Sequence, residues 1–253
     1  MLFRPLISTA FALALVVGMA ESGRADDFGL SAISKVKRSV APVECVVPAL
    51  HAAELGPGVS GTGFFVSREG VFVTANHVIE KMKSLGARCN PSVLLPAGGW
   101  KNENAPASAR EVFPFSPDAC EQDYDDDVAA CRTTLNPFSN ASVKDDIAPV
   151  SFETNAQPDG TEVAYLGFPQ GYAWPITGRG WIASTTPVNA VPTLTVDGWS
   201  WHGVSGCPVF LASGTIIGML VGSESGEDEG LAVARPASLI TELLRRSQLL
   251  GKI

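Results

Sequence analysis

The sequence is poor in histidine. Its 253 residues include three, His51, His77 and His202, so any chemistry that needs an imidazole must draw on one of these. Charge is also scarce. Charged residues make up 17% of the chain, and acids outnumber bases to give a formal net charge of -8. An acidic chain has no electrostatic attraction for nucleic acid or anionic lipid, which argues against both as partners. The five cysteines include no C-x-x-C pair, so their spacing does not suggest zinc, and no metal or cofactor is expected. Beyond the first twenty residues no apolar run approaches the roughly 20 residues that a spanning helix needs. No internal repeat is visible. What the sequence has in quantity is apolar side chain, 45% by number, which suits one or two compact domains with a substantial core.

The first residues, Met1-Leu2-Phe3-Arg4-Pro5, are followed by an apolar run from Leu6 to Ala20 and then by Glu21-Ser22-Gly23-Arg24-Ala25. A basic start, a short greasy centre and small residues at the exit describe a secretory signal peptide. Residues 1–25 are expected to be removed, with cleavage after Ala25 (Ala20 is the neighbouring alternative). The mature protein is then soluble, free of the membrane, and periplasmic or secreted. In such a compartment cysteines pair, and an odd number leaves one over. Cys120 and Cys131 lie close together in one polar segment and are expected to bridge, contributing on the order of 3 kcal/mol in the chain-entropy model. Cys45 and Cys89 are candidates for a second bridge, leaving Cys207 as a small buried thiol.

Apolar positions at Phe28, Leu30, Ile33, Val36 and Val40 predict a short lead-in helix. Strands are predicted from Val43, over 62–67 and 71–75 around a Glu69-Gly70 turn, and more weakly over 92–95 and 110–113. His77 to Leu85 reads as a helix stopped by Gly86. From Pro114 to Ser142 the pattern fails, and the segment reads as a long surface loop. Its run Asp123-Tyr124-Asp125-Asp126-Asp127 reads as a solvated charged face, since it lacks the glycine and terminal glutamate of a calcium loop. Short strands with Gly, Pro, Asn and Asp turns resume at 162–167, 180–186, 193–196, 208–211, 215–221 and 231–234. Regular short strands indicate an all-β sandwich or barrel. The end, 236–250, turns to helical period.

The stretch that organises the chain is Gly203-Val204-Ser205-Gly206-Cys207-Pro208-Val209-Phe210. Glycines on both sides of Ser205 allow a sharp bend that pushes the hydroxyl outward and aims the Gly203 and Ser205 amides at one spot beside it. A serine nucleophile needs such donors for its oxyanion, and a base for its proton. His77 ends the run Gly61-Thr62-Gly63-Phe64-Phe65-Val66, then Gly70-Val71-Phe72-Val73-Thr74-Ala75-Asn76-His77-Val78-Ile79. Together these runs resemble the trypsin-like serine proteases, particularly the bacterial type related to HtrA. The aspartate that such a protein requires, opening an apolar strand between the two motifs, is assigned to Asp146 in Lys144-Asp145-Asp146-Ile147-Ala148. Asp145 competes for that role. The order His, Asp, Ser suits the family.

The resemblance implies an all-β, chymotrypsin-like fold of two six-stranded antiparallel β-barrels with a C-terminal helix. Barrel 1 is expected over about 40–150, barrel 2 over about 160–235 and the helix over 236–250, all within a protease domain of 26–253. The short tail after Ile240 leaves no room for the PDZ domain of HtrA proteins. The implied function is hydrolysis of peptide bonds in a protein or peptide substrate by an exported serine endopeptidase. His77, Asp146 and Ser205 would act through an acyl-enzyme, with Gly203 and Ser205 as the oxyanion hole. Trp199, Trp201, His202, Met219 and Leu220 would wall a primary pocket without an acid, which suits an apolar or small residue before the scissile bond. Val204 stands where digestive relatives carry the aspartate that pairs with a freed N-terminus, so no such activation switch is expected. The other reading, from a different class, is a non-catalytic binding protein on the same fold, its site misaligned or blocked by the 114–142 loop. The α/β-hydrolase elbow is excluded by Cys207 and by the lack of any histidine after Ser205.

Overall fold

The computed structural model describes residues 29–46, 60–101, 110–170, 172–188, 190–223, 231–247 and 249. The expected signal peptide and His51 lie outside the described residues. Helix α1 (Leu30–Lys37) leads into a sheet of seven strands: β1 (Val40–Val46), β2 (Ser60–Phe65), β3 (Val71–Ala75), β4 (Asn90–Pro96), β5 (Arg110–Pro114), β6 (Glu121–Asp123) and β7 (Val128–Arg132). Their order is β5-β4-β1-β2-β3-β7-β6, with antiparallel neighbours throughout. Helix α2 (Asn76–Leu85) leaves the end of β3 without an intervening loop. The second unit is a closed six-stranded barrel, β10-β13-β12-β11-β8-β9. It is built from β8 (Glu162–Gly167), β9 (Ile176–Ser184), β10 (Leu194–Asp197), β11 (Pro208–Phe210), β12 (Ile216–Ser223) and β13 (Ala232–Pro236), and helix α3 (Ala237–Arg246) follows.

The mostly-β architecture, the closed six-stranded barrel and the C-terminal helix agree with expectation. The N-terminal sheet differs by carrying seven strands. Two of its strands, β6 and β7, come from the segment expected to be a loop, and no strand forms directly after Asp146, where an apolar strand was expected to open. Within 114–142, β6 and β7 form a hairpin, and β7 pairs with β3 over Val71↔Arg132 to Ala75↔Val128. A disulfide between Cys120 and Cys131 closes this hairpin, and a second, Cys45–Cys89, joins the end of β1 to the start of β4. Cys207 is free and buried. Among the described residues no helix is long and apolar enough to cross a membrane.

Two apolar clusters fill the molecule. The barrel interior holds Val163, Tyr165, Ile182, Val196, Val204, Cys207, Val209 and Leu220. Alternation is clearest on β9, where Gly178 and Gly180 face inward and Arg179 and Trp181 outward. Those glycines are required by crowding. A β-carbon at 178 would lie 2.3 Å from the Tyr165 ring, and one at 180 would lie 2.1 Å from the Asp197 carbonyl oxygen. The larger cluster fills the N-terminal sheet and runs on into the contact with the barrel through Ala164, Leu166, Phe168, Phe210, Ile216 and Met219. The connection from β7 to β8 crosses both units: Val150 N donates to Phe65 O, and Ile216 N donates to Ser151 O.

Candidate active site

His77 is the second residue of α2, and its side chain is 49% exposed. Helix termini leave backbone amides without intrahelical acceptors. Here Asp127 supplies them. The Asn76 amide donates to the Asp127 carbonyl oxygen at 3.1 Å, and the His77 amide donates to Asp127 Oδ1 at 2.8 Å. The other carboxylate oxygen, Oδ2, lies 2.8 Å from His77 Nδ1. One carboxylate therefore caps the helix and holds the ring. With the shared proton on Nδ1, Nε2 keeps its lone pair and can act as a base. Asp127 adopts φ 54 at the head of β7, a left-handed conformation that aspartate tolerates better than most residues.

The assignment of this role to Asp146 is thereby corrected. Asp146 lies on the connection between the two units, against Gly99, where a β-carbon would come within 2.6 Å of its own. The main chain there is held from the other side, as Arg38 donates to the carbonyl oxygens of Asp145 and Asp146. The acidic run 123–127 is likewise more than a solvated face. Asp123 pairs with Arg246 and accepts the Asp126 amide, and Asp127 holds His77.

Ser205 sits in the bend between Gly203, φ 90, and Gly206, φ 92. Only glycine fits either position. A β-carbon at 203 would fall 2.4 Å from Phe168 O, and one at 206 would fall 1.8 Å from Thr62 O. Within the bend Val204 N donates to Trp201 O, Gly206 N to Leu220 O and Cys207 N to Val204 O. The amides of Gly203 and Ser205 donate to no acceptor among the described residues. The bend is fastened to β2 by Thr62 N donating to Ser205 O at 2.8 Å. Gly61 brings α2 to the same place. A β-carbon there would lie 2.8 Å from the Val78 side chain and 3.3 Å from Ser205 O. No hydrogen bond joins the Ser205 hydroxyl to the His77 ring among the described residues.

The expected pocket residues divide. Trp199 and Trp201 are exposed and line an open groove of about 300 Å³ with Pro169, Gln170, Tyr172 and Ile176. His202 is exposed but outside that lining. Met219 and Leu220 are fully buried, Met219 in the larger cluster and Leu220 in the barrel interior, so neither offers surface to a ligand. Pro169, Gln170, Tyr172 and Ile176 are wall residues that the sequence does not announce, because nothing local marks them. Cys207 is buried, and burial pushes its thiol up to about 12, so it stays protonated and is no competing nucleophile. Beneath Trp199 lies the Tyr165 phenol, buried and without a hydrogen-bond partner. The nearby Trp199 amide does not reach it with hydrogen-bond geometry.

Three comparisons bear on this arrangement. The fold is similar to that in the crystal structure of Deg5, at TM-score 0.63 and 19% identity, over 87% of this chain and 93% of that one. No curated protein sequence matches. Residues 61–219, which include His77, Asp127 and Ser205, match the family of the trypsin-like peptidase domain. With that match over more than half its length, and a chymotrypsin-like fold, the chain belongs to the trypsin-like peptidases.

Proposed function

We propose that this chain is an exported serine endopeptidase acting through His77, Asp127 and Ser205. The observation that carries the reading is the His77 ring gripped at Nδ1 by a carboxylate that also caps its helix. Ser205 Oγ attacks the scissile carbonyl carbon, and its proton passes to His77 Nε2. The new oxyanion accepts from the Gly203 and Ser205 amides, the two donors the bend leaves unused. Collapse breaks the C–N bond, the leaving amine takes the proton from His77, and an acyl-enzyme remains on Ser205. Water, deprotonated by the same nitrogen, then releases the acid. Asp127 keeps the imidazole in the required tautomer and stabilises the imidazolium.

The wall of Trp199, Trp201, Tyr172 and Ile176 favours an apolar side chain in the substrate. Val204 is buried in the barrel interior and offers no carboxylate to a freed N-terminus, so the site forms without trimming beyond signal removal. Two disulfides and the N-terminal leader suit a periplasmic or secreted protein. The test is covalent labelling by a fluorophosphonate, compared with Ser205→Ala. Wild type should label and the variant should not, with peptide turnover lowered about 10⁶-fold in the variant. A folded wild type that resists the probe would favour the non-catalytic binding protein.

A further inference from the structure

We propose that Thr62 is a positioning residue of the hydrolytic site, setting the direction of the oxyanion donors through its side-chain hydroxyl. The inference rests on the serine endopeptidase reading and adds to it a residue in neither the nucleophile, the base nor the oxyanion hole. Thr62 is fully buried on β2, in the other unit from Ser205. Its Oγ1 donates to the Gly203 carbonyl oxygen at 2.9 Å and accepts from the Phe168 amide at 2.9 Å. Its own amide donates to Ser205 O at 2.8 Å, and its carbonyl oxygen accepts from Thr74 Oγ1 at 2.7 Å.

These bonds fix peptide planes on both sides of the two unused donors. The Gly203–Val204 and Ser205–Gly206 peptides are held directly. The His202–Gly203 peptide, which carries the Gly203 amide, is held by Gln170 N donating to His202 O at 2.7 Å. Gln170 is two residues beyond Phe168, whose amide the same hydroxyl receives. One hydroxyl thus clamps the 168–170 segment and the Gly203 turn against each other. The Gly203–Val204 unit carries the Val204 amide, which donates to Trp201 O, and it shares the Gly203 α-carbon with the unit that carries the Gly203 amide. With its carbonyl unpartnered it turns more readily, and the neighbouring donor joined to it at that α-carbon swings away from the oxyanion. Oxyanion stabilisation depends on donors already in place when charge develops.

Thr62→Val keeps the shape and both main-chain bonds and removes only the hydroxyl. Thr62→Ser restores the hydroxyl. Two readouts are taken on the full chain: the rate constant for fluorophosphonate labelling, and deuterium exchange of the backbone over residues 199–207. Thr62→Val should label at least about 10-fold more slowly, since loss of one oxyanion donor costs 10²–10³ in rate where it is complete. Exchange over 199–207 should rise, and Thr62→Ser should return both towards wild type. Thr62→Val that labels at the wild-type rate with unchanged exchange overturns the positioning role and leaves the serine reading intact. Equal losses in both variants, in step with their melting temperatures, overturn it too and reduce Thr62 to a packing residue. A folded wild type that does not label overturns the serine reading and, with it, the hydrolytic role of Thr62, an outcome distinct from a labelling wild type whose rate Thr62→Val leaves unchanged.

Discussion

Asp127 shares its carboxylate between a helix-terminal amide and the imidazole of the same residue, and each oxygen has one task. Asp127→Asn keeps the size but puts an N–H where an acceptor is needed, which either turns the ring to the wrong tautomer or uncaps the helix. Initial rates of peptide hydrolysis should fall about 10⁴-fold, the scale of that exchange in other triads. Asp146→Asn should leave the same rates far less affected than Asp127→Asn does, since Asp127 is the carboxylate at His77 Nδ1. Equal losses in both, or a loss confined to Asp146→Asn, would sink the assignment. The sequence contains the aspartate signal twice. Asp127-Val128-Ala129 and Asp146-Ile147-Ala148 each place an acid before a β-branched residue and an alanine. Local pattern cannot separate them. The decision is made by the pairing of Ala75 with Val128, which sets Asp127 beside the start of α2 across 50 residues of chain. His77, Ser205 and the glycines at 203 and 206 were legible because their constraints are local: a strand running into a helix, and a bend that no β-carbon survives.

The β6–β7 hairpin is the element that delivers the carboxylate. It was unreadable because β6 is three polar residues, Glu121-Gln122-Asp123, too short for any period to show. Side bonds compensate for its length. The Cys120–Cys131 bridge closes its base, Arg246 pairs with Asp123, and Arg235 Nε donates to Asp126 O at 2.8 Å. The cysteine spacing foretold the bridge, and the hairpin follows from it once the strands are seen. Replacing both cysteines by serine should destabilise the protein by about 3 kcal/mol in the chain-entropy model, read from the midpoint of denaturant unfolding. It should also lower kcat more than KM, since Asp127 sits beyond the loosened base. Full kcat at a reduced midpoint would mean that pairing with β3 alone holds the carboxylate.

Across the whole molecule, helix α3 comes from the far end of the chain yet buries Ile240, Leu243 and Leu244 in the cluster that fills the N-terminal sheet. Helical period announced an amphipathic segment; it could not say which unit receives the apolar face, because that depends on where the barrel leaves the chain. The same cluster takes in Leu166, Phe168, Phe210 and Met219 from the barrel. The proposed active site draws on both sides of this contact, with His77 and Asp127 from one unit and Ser205 from the other. A hydrolase built so cannot afford units that unfold separately, since each opening would part base from nucleophile. Leu243→Ala removes a side chain that is 2% exposed and should cost about 2–5 kcal/mol, as buried leucines do. Because the cluster is shared, the loss should appear in both units. Deuterium exchange under native conditions should speed up alike in β3 and in β12, and denaturant unfolding should remain one transition at a lower midpoint. If exchange rises in β3 alone while β12 keeps its protection, the two units are energetically independent, and the geometry at Ser205 must be held by the Thr62 contacts rather than by the common core.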